Sequence, residues 1–192
     1  MTSAAPGDQP VSDLLDRLFR IDRAHRTLLV GIDGCGGSGK STLASALASA
    51  ATESVAVVAM DDFYRPSDER RESPRHAVGD NFDWRRLREQ VLVPVARNES
   101  AQYQRYDWGS DRLAEWHLVP TGGAVIVEGL YSTRTELRDF YDFTIWVEAA
   151  PEVRLARGLP ATARTHETVG SANGWSRRLA TSTRRILRRA PI

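Results

Sequence analysis

Residues 27–51 read TLLVGIDGCGGSGKSTLASALASAA. The aliphatic and β-branched run TLLVGID predicts a buried strand, the glycines after it a loop, and the alanine-rich STLASALASAA a helix. Within it, Gly34, four residues, then Gly39, Lys40 and Ser41 fit the pattern G-x-x-x-x-G-K-S/T, in the strand–loop–helix setting that the pattern requires. Glycines let backbone N–H groups turn inward around phosphate oxygens, and the helix start adds unsatisfied donors and a positive dipole end. Gly34, Gly36, Gly37, Ser38, Gly39, Lys40, Ser41 and Thr42 are therefore the candidate ATP-phosphate ligands, with Ser41 also a Mg²⁺ ligand through its hydroxyl. Lys40 is the single lysine among 26 basic residues; the other 25 are arginine. A compact ammonium fits between β- and γ-phosphates where arginine's planar fork does not, which explains why this one position departs from the chain's preference. Cys35, the only cysteine, reads as a small residue packed into the tight loop.

Working outward, VAVVAM (55–60), AVIVEG (124–129) and FTIWVE (143–148) are three more short apolar runs. Runs of this kind predict parallel strands covered on both faces. Val11, Leu14, Leu15, Leu18 and Ile21 share one helical face behind a cap at Ser12, and Trp84, Leu87, Val91, Leu92 and Val95 share another. Pro94 should kink or end that second helix near Val93. PEVRLARG (151–158) opens a further helix with proline at a natural first position. No internal repeat is present. The expected architecture is α/β: a three-layer P-loop NTPase fold, a parallel sheet with helices on both faces. It occupies 11–158, after a Pro-, Gly- and Ser-rich stretch at 1–10 expected to be disordered.

With 192 residues, 41% hydrophobic and 27% charged, the composition suits one soluble domain. No apolar run approaches the roughly 18 residues of a membrane span, so a cytoplasmic location and no membrane partner are expected. One cysteine excludes an internal disulfide and a cysteine-cluster metal site. The net charge of +1 hides an asymmetry, because residues 159–192 hold seven arginines against the single acid Glu167.

The second apolar run ends in MDDFYRP (60–66), at the carboxyl edge of the sheet where ligands of such folds bind. A carboxylate there can take the proton of an attacking hydroxyl or help position Mg²⁺, and Asp-Asp is as often an ordinary turn or cap. Glu128 also ends a buried run, where an idle charge would be costly.

GCGGSGKST, MDDFYRP, NFDW, YDW, VIVEGLYS and PEVRLARG, in that order between Leu28 and Gly158, resemble the uridine kinase group of P-loop kinases, related to phosphoribulokinase and pantothenate kinase. The resemblance implies transfer of the ATP γ-phosphoryl to the 5′-hydroxyl of uridine or cytidine with Mg²⁺. It implies Asp61 as the catalytic carboxylate beside Lys40, Asp83 as the group holding the ribose diol, and Tyr106 as an aromatic against the base. It further implies Glu128 as an acid near Mg²⁺, with Arg154 and Arg157 as the start of an arginine-bearing lid over ATP. Tyr64 and Phe82 are candidate pocket walls or core residues. Asp111 stands near a position where nucleoside-selective relatives place histidine, and Trp84 and Trp108 replace the residues usual beside the diol and base. His117 reads as structural or exposed. Other readings on the same scaffold are a kinase of another hydroxyl acceptor, phosphosugar or pantothenate-like, and a nucleotide-binding protein without transfer.

Beyond Gly158 the resemblance stops. Residues 159–192 contain no apolar strand run and almost no acid, so the last edge strand and the lid are expected to be missing or altered, as an out-of-frame C-terminus would make them. A basic tail for an acidic partner and a solvated end are the other readings; nucleic acid is not the expected partner, since no binding fold surrounds the arginines.

Overall fold

The computed structural model describes residues 11–22, 26–72 and 78–158. In chain order the elements are α1 (Val11–Phe19), β1 (Leu28–Asp33), α2 (Lys40–Ala50), β2 (Val55–Ala59), α3 (Ser67–Glu72), α4 (Trp84–Leu87), α5 (Val93–Ala96), β3 (Ala101–Asp107), β4 (Arg112–Val119), β5 (Ala124–Glu128), β6 (Phe143–Trp146) and α6 (Pro151–Gly158). Four strands form a parallel sheet in the order β2-β5-β1-β6.

The apolar runs become strands because each can bury both faces or stand at an edge. β1 and β5 are central, and every one of their residues is buried. Leu28, Val30 and Ile32 of β1 meet Leu14, Leu15 and Leu18 of α1 and Ala44 and Leu47 of α2 on one face. Leu29 of β1, with Val125 and Val127 of β5, faces the other side and meets Leu87, Val91, Leu92 and Val95. The expected three layers are present. Full burial on both faces does not extend to the outer strands, however: Val57 of β2 is 40% exposed and Trp146 of β6 is 51% exposed, because a strand at a sheet margin is only partly covered.

The segment around Pro94 does not stop at Val93. It runs from α4 through a π turn at Arg88–Leu92 into α5, with Val93 N–H reaching back five residues to the Arg88 carbonyl. Proline cannot donate and its ring crowds the carbonyl four residues earlier, here Gln90; widening the turn relieves that crowding without ending the helix. Val11 and Ser12 are both helical, so Ser12 lies within α1 instead of capping it.

An antiparallel hairpin, β3–β4, stands apart from the main sheet and was not legible as strands. Ala101 and Tyr103 point inward, and strict alternation would bring Arg105 in next. A register shift between Gln104 and Tyr106 instead buries Tyr106, as a bulge does when it reverses the phase of a strand. No helix among the described residues is long and apolar enough to cross a membrane. The disorder expected at 1–10, and the missing strand and altered lid expected of the tail at 159–192, lie outside the described residues.

Candidate active site

β1 delivers the chain into the glycine loop, and α2 starts at Lys40 directly behind it. Gly34, Gly37 and Gly39 have φ of 146°, 72° and 104°. A Cβ at Gly34 would stand 2.2 Å from the Val147 carbonyl oxygen, and one at Gly37 2.6 Å from that of Arg154. The loop is therefore closed by backbone on two sides, a reason for glycine independent of any ligand. Gly36 has no atom within 4 Å of such a Cβ. Cys35 is exposed, contrary to the packed role expected for it: its side chain leaves the loop, and its carbonyl turns inward to accept a hydrogen bond from Lys40 Nζ at 3.1 Å.

Several features of this loop suit phosphates. Among the described residues the buried Ser38 Oγ has no hydrogen-bond partner, and the buried Lys40 has its ammonium held by one backbone carbonyl, that of Cys35. Ser41 Oγ donates to Glu128 Oε1 at 2.9 Å, which pairs two hard oxygen donors at the loop's end. No group of three His, Cys, Asp or Glu able to hold a metal occurs among the described residues. Mg²⁺ is bound through one or two protein oxygens together with phosphates and water, and Ser41 with Glu128 supplies two such oxygens.

Glu128 ends β5, at the same sheet edge. Burial pushes its pKa up, while the Ser41 hydrogen bond and the Lys40 charge pull it down, and Asp61 and Asp62 push it up again. Lys40, Ser41, Glu128 and the aspartate pair thus form one electrostatic neighbourhood. A 3₁₀ turn, Met60–Phe63, carries the pair and separates its members. Asp62 accepts a hydrogen bond from Tyr103 Oη at 2.8 Å, and burial raises its pKa. Asp61 is exposed and engages no hydrogen bond or ion pair among the described residues.

Asp83 caps α4, accepting from the Arg86 N–H at 3.1 Å. Its carboxylate also meets Arg65 at 3.2 Å and Arg86 Nε at 3.8 Å. Beside it rises an aromatic wall. The Tyr64 ring lies 5.2 Å from Phe82, 5.6 Å from Tyr106 and 4.5 Å from Trp108, and Phe82 lies 5.9 Å from Tyr131. Tyr106 Oη donates to Asp111 Oδ1 at 2.6 Å. Asp111 also accepts from Ser67, and these hydrogen bonds hold its pKa low, Ser67 contributing most. A cavity of about 500 Å³ opens between residues 66–69 and 110–113, with Asp111 in its lining.

Arg157 donates to the Gly37 and Ser38 carbonyls at 3.2 and 3.3 Å, so it touches the loop. The Arg154 guanidinium instead reaches the Ala149 carbonyl at 3.2 Å. The Trp84 ring meets the guanidinium groups of Arg85 and Arg134, 4.4 and 5.0 Å from its centre. His117 stacks on Tyr103 at 5.3 Å and meets Glu115 at 3.1 Å.

Two residues that sequence reasoning passed over shape the site. Asp33, buried at the end of β1, accepts from Gly34 N–H at 2.7 Å, Tyr131 N–H at 3.2 Å, Thr133 N–H at 3.1 Å and Thr133 Oγ1 at 2.9 Å. It ties the phosphate loop to the chain after β5, where Tyr131 holds a φ of 64°. The signal was there: an aspartate ending a fully apolar strand, the same signal that singled out Glu128. Arg86, 9% exposed at its side chain, gave none, since one arginine in WRRLRE looks like another.

Residues 29–183 match the Phosphoribulokinase / Uridine kinase family, a match that continues past Gly158. Over 140 residues the chain is 29% identical to a uridine kinase of Alkaliphilus metalliredigens, covering 69% of this chain and 67% of that one. Over 79 residues it is 48% identical to a nicotinamide riboside kinase of Eremothecium gossypii, covering 41% of this chain and 28% of the other. The match spans 59–67% of the length of three similar uridine kinases. Among solved structures, one described as a possible uridine kinase from Bacillus stearothermophilus has a TM-score of 0.60 at 24% identity over 77% of this chain and 84% of that one, a likeness of fold. Another, described as a fructose transport system kinase from Silicibacter sp. TM1040, has a TM-score of 0.60 at 27% identity, covering 78% and 80%.

Proposed function

Since the chain belongs to the phosphoribulokinase/uridine kinase family, we propose that it is an ATP-dependent small-molecule kinase that phosphorylates the 5′-hydroxyl of uridine or cytidine. The observation that carries this reading is the division of the aspartate pair: Asp62 is occupied by Tyr103, while Asp61 stands open in the neighbourhood of Lys40, Ser41 and Glu128. A carboxylate without a partner among the described residues supports a role in receiving a hydroxyl proton.

In this mechanism the loop amides and Lys40 hold the β- and γ-phosphates of ATP. Ser41 and Glu128 would hold Mg²⁺, which neutralises charge on those phosphates when bound. Asp61 orients the acceptor hydroxyl and takes its proton as the new O–P bond forms and the bond to ADP breaks. Phe82 and Tyr106 are buried and back the aromatic wall, so its stacking surface for the acceptor falls to half-buried Tyr64 and exposed Trp108, and Asp83 offers its carboxylate to the diol. Since Asp83 already caps α4 and faces two arginines, diol binding would share it with them. Most of the rate would come from positioning.

A second acceptor is supported by one feature, the Asp111 carboxylate bonded to Tyr106 at the wall, together with the 48% identity over 79 residues to a nicotinamide riboside kinase. A carboxylate beside stacked rings favours a base that donates hydrogen bonds or carries positive charge. A panel of uridine, cytidine, nicotinamide riboside, pantothenate and phosphosugars with Mg²⁺ and ATP tests both readings by ADP release. Turnover with uridine or cytidine is expected; turnover only with another acceptor transfers the assignment, and ATP binding without any turnover leaves a nucleotide-binding protein. Asp61→Asn should lower kcat by ~10²–10⁴ while ATP still binds; near-normal turnover would remove Asp61 from its role.

A further inference from the structure

Arg86 makes more directed contacts than any role in α4 requires. Its Nη1 donates to the Gln104 carbonyl of β3, and its Nη2 to the Asp62 and Tyr64 carbonyls at 3.1 and 3.4 Å. Nε faces Asp83 Oδ2 at 3.8 Å, and the guanidinium lies 4.9 Å from the centre of the Phe63 ring. Its own backbone N–H is the one Asp83 caps. A single planar group thus grips the turn after Asp61 at two carbonyls, the hairpin at a third, and the capping carboxylate of its own helix.

Each contact fixes something the acceptor side needs. The Asp62 and Tyr64 carbonyls flank Phe63 in the short turn that carries Asp61; there Tyr64 N–H reaches the Asp61 carbonyl at 3.3 Å, and the Phe63 carbonyl accepts from the Asp83 N–H at 2.7 Å. The Gln104 contact sits beside the bulge that turns Tyr106 inward. Exposed Asp61 has no side-chain anchor among the described residues, so its direction follows the backbone beneath it. Resting on the kinase reading above, we propose that Arg86 is a positioning residue for phosphoryl transfer, which sets the aim of Asp61 relative to Asp83 and Tyr106 without touching either substrate.

Lysine cannot reproduce this grip, because one ammonium on a flexible stem does not span three carbonyls and a carboxylate in a plane. Arg86→Lys and Arg86→Met are compared with Arg88→Lys, the same chemical change on a half-exposed neighbour paired with Glu89. Expected for both Arg86 variants are a kcat at least ~10-fold lower and an acceptor KM raised several-fold, with the ATP KM within about twofold of the parent. Amides of Asp62, Phe63 and Tyr64 should exchange with deuterium faster, while those of the phosphate loop do not. Arg88→Lys should match the parent throughout. Unchanged kcat and acceptor KM in the Arg86 variants overturn the proposal. So do equal losses at the ATP and acceptor sites, or failure of both variants to fold, since each makes Arg86 a general structural residue. If the parent transfers phosphate to no acceptor, the kinase reading fails instead, and the exchange rates of residues 62–64 alone decide whether Arg86 holds the turn.

Discussion

Glu128 is the residue where stability and chemistry oppose each other. Burial raises its pKa above the ordinary glutamate value, more than Ser41 and Lys40 lower it. The charged form therefore costs folding free energy at pH values above the folded-state pKa, and that cost disappears as pH falls toward the ordinary value near 4. Glu128→Gln keeps an oxygen for the Ser41 hydroxyl and removes the charge. It should melt at a higher temperature than the parent at pH 7, with the gap closing at pH 4, and should lose Mg²⁺-dependent turnover. Thermal scans at the two pH values check the sign, and a variant less stable at pH 7 would mean that attraction to Lys40 outweighs desolvation. The glycines separate in the same way. Gly37→Ala, strained at positive φ and against the Arg154 carbonyl, should lose about 1–3 kcal/mol, whereas Gly36→Ala, in open space, should unfold in urea within about 0.5 kcal/mol of the parent.

At the scale of elements, the four sheet strands, α1, α2 and α6 could be read from apolar runs and helical spacing, because those patterns report burial against a sheet directly. The hairpin β3–β4 could not, for a physical reason visible in AQYQRYD: its bulge breaks the alternation at Arg105 just where a strand would be recognised. The 3₁₀ turn at Met60–Phe63 was hidden as well. Asp61 and Asp62 are identical letters in sequence, and only the arrival of Tyr103 from the hairpin distinguishes them. Asp83 illustrates the same limit, since its pairing with Arg65 depends on how α4 sits against the chain after β2. Pro94 was read correctly as a disturbance but not as a widened turn. A helix packed through Val91, Leu92 and Val95 gains more by continuing than by ending.

Across the whole molecule, Asp33 joins the glycine loop to the chain after β5, where Tyr131 packs against Phe82. Four donors from residues 34, 131 and 133 converge on one buried carboxylate. Asp33→Asn places an amide donor against one of these N–H groups, which should cost roughly 1–3 kcal/mol by urea denaturation. The rise in melting temperature on adding ATP should shrink with it; an unchanged rise would show the loop to be organised without Asp33. The aromatic wall has a further consequence, an optical one. Trp108 is 58% exposed and stands 4.5 Å from Tyr64 and 5.1 Å from Tyr106, so an acceptor base stacking there would strip water from its indole and quench or blue-shift its emission. Trp146 and Trp116, also exposed, belong to β6 and to the outer side of β4. Under the proposed function Trp108 would therefore report acceptor binding by its fluorescence, readable in a titration before any phosphate moves.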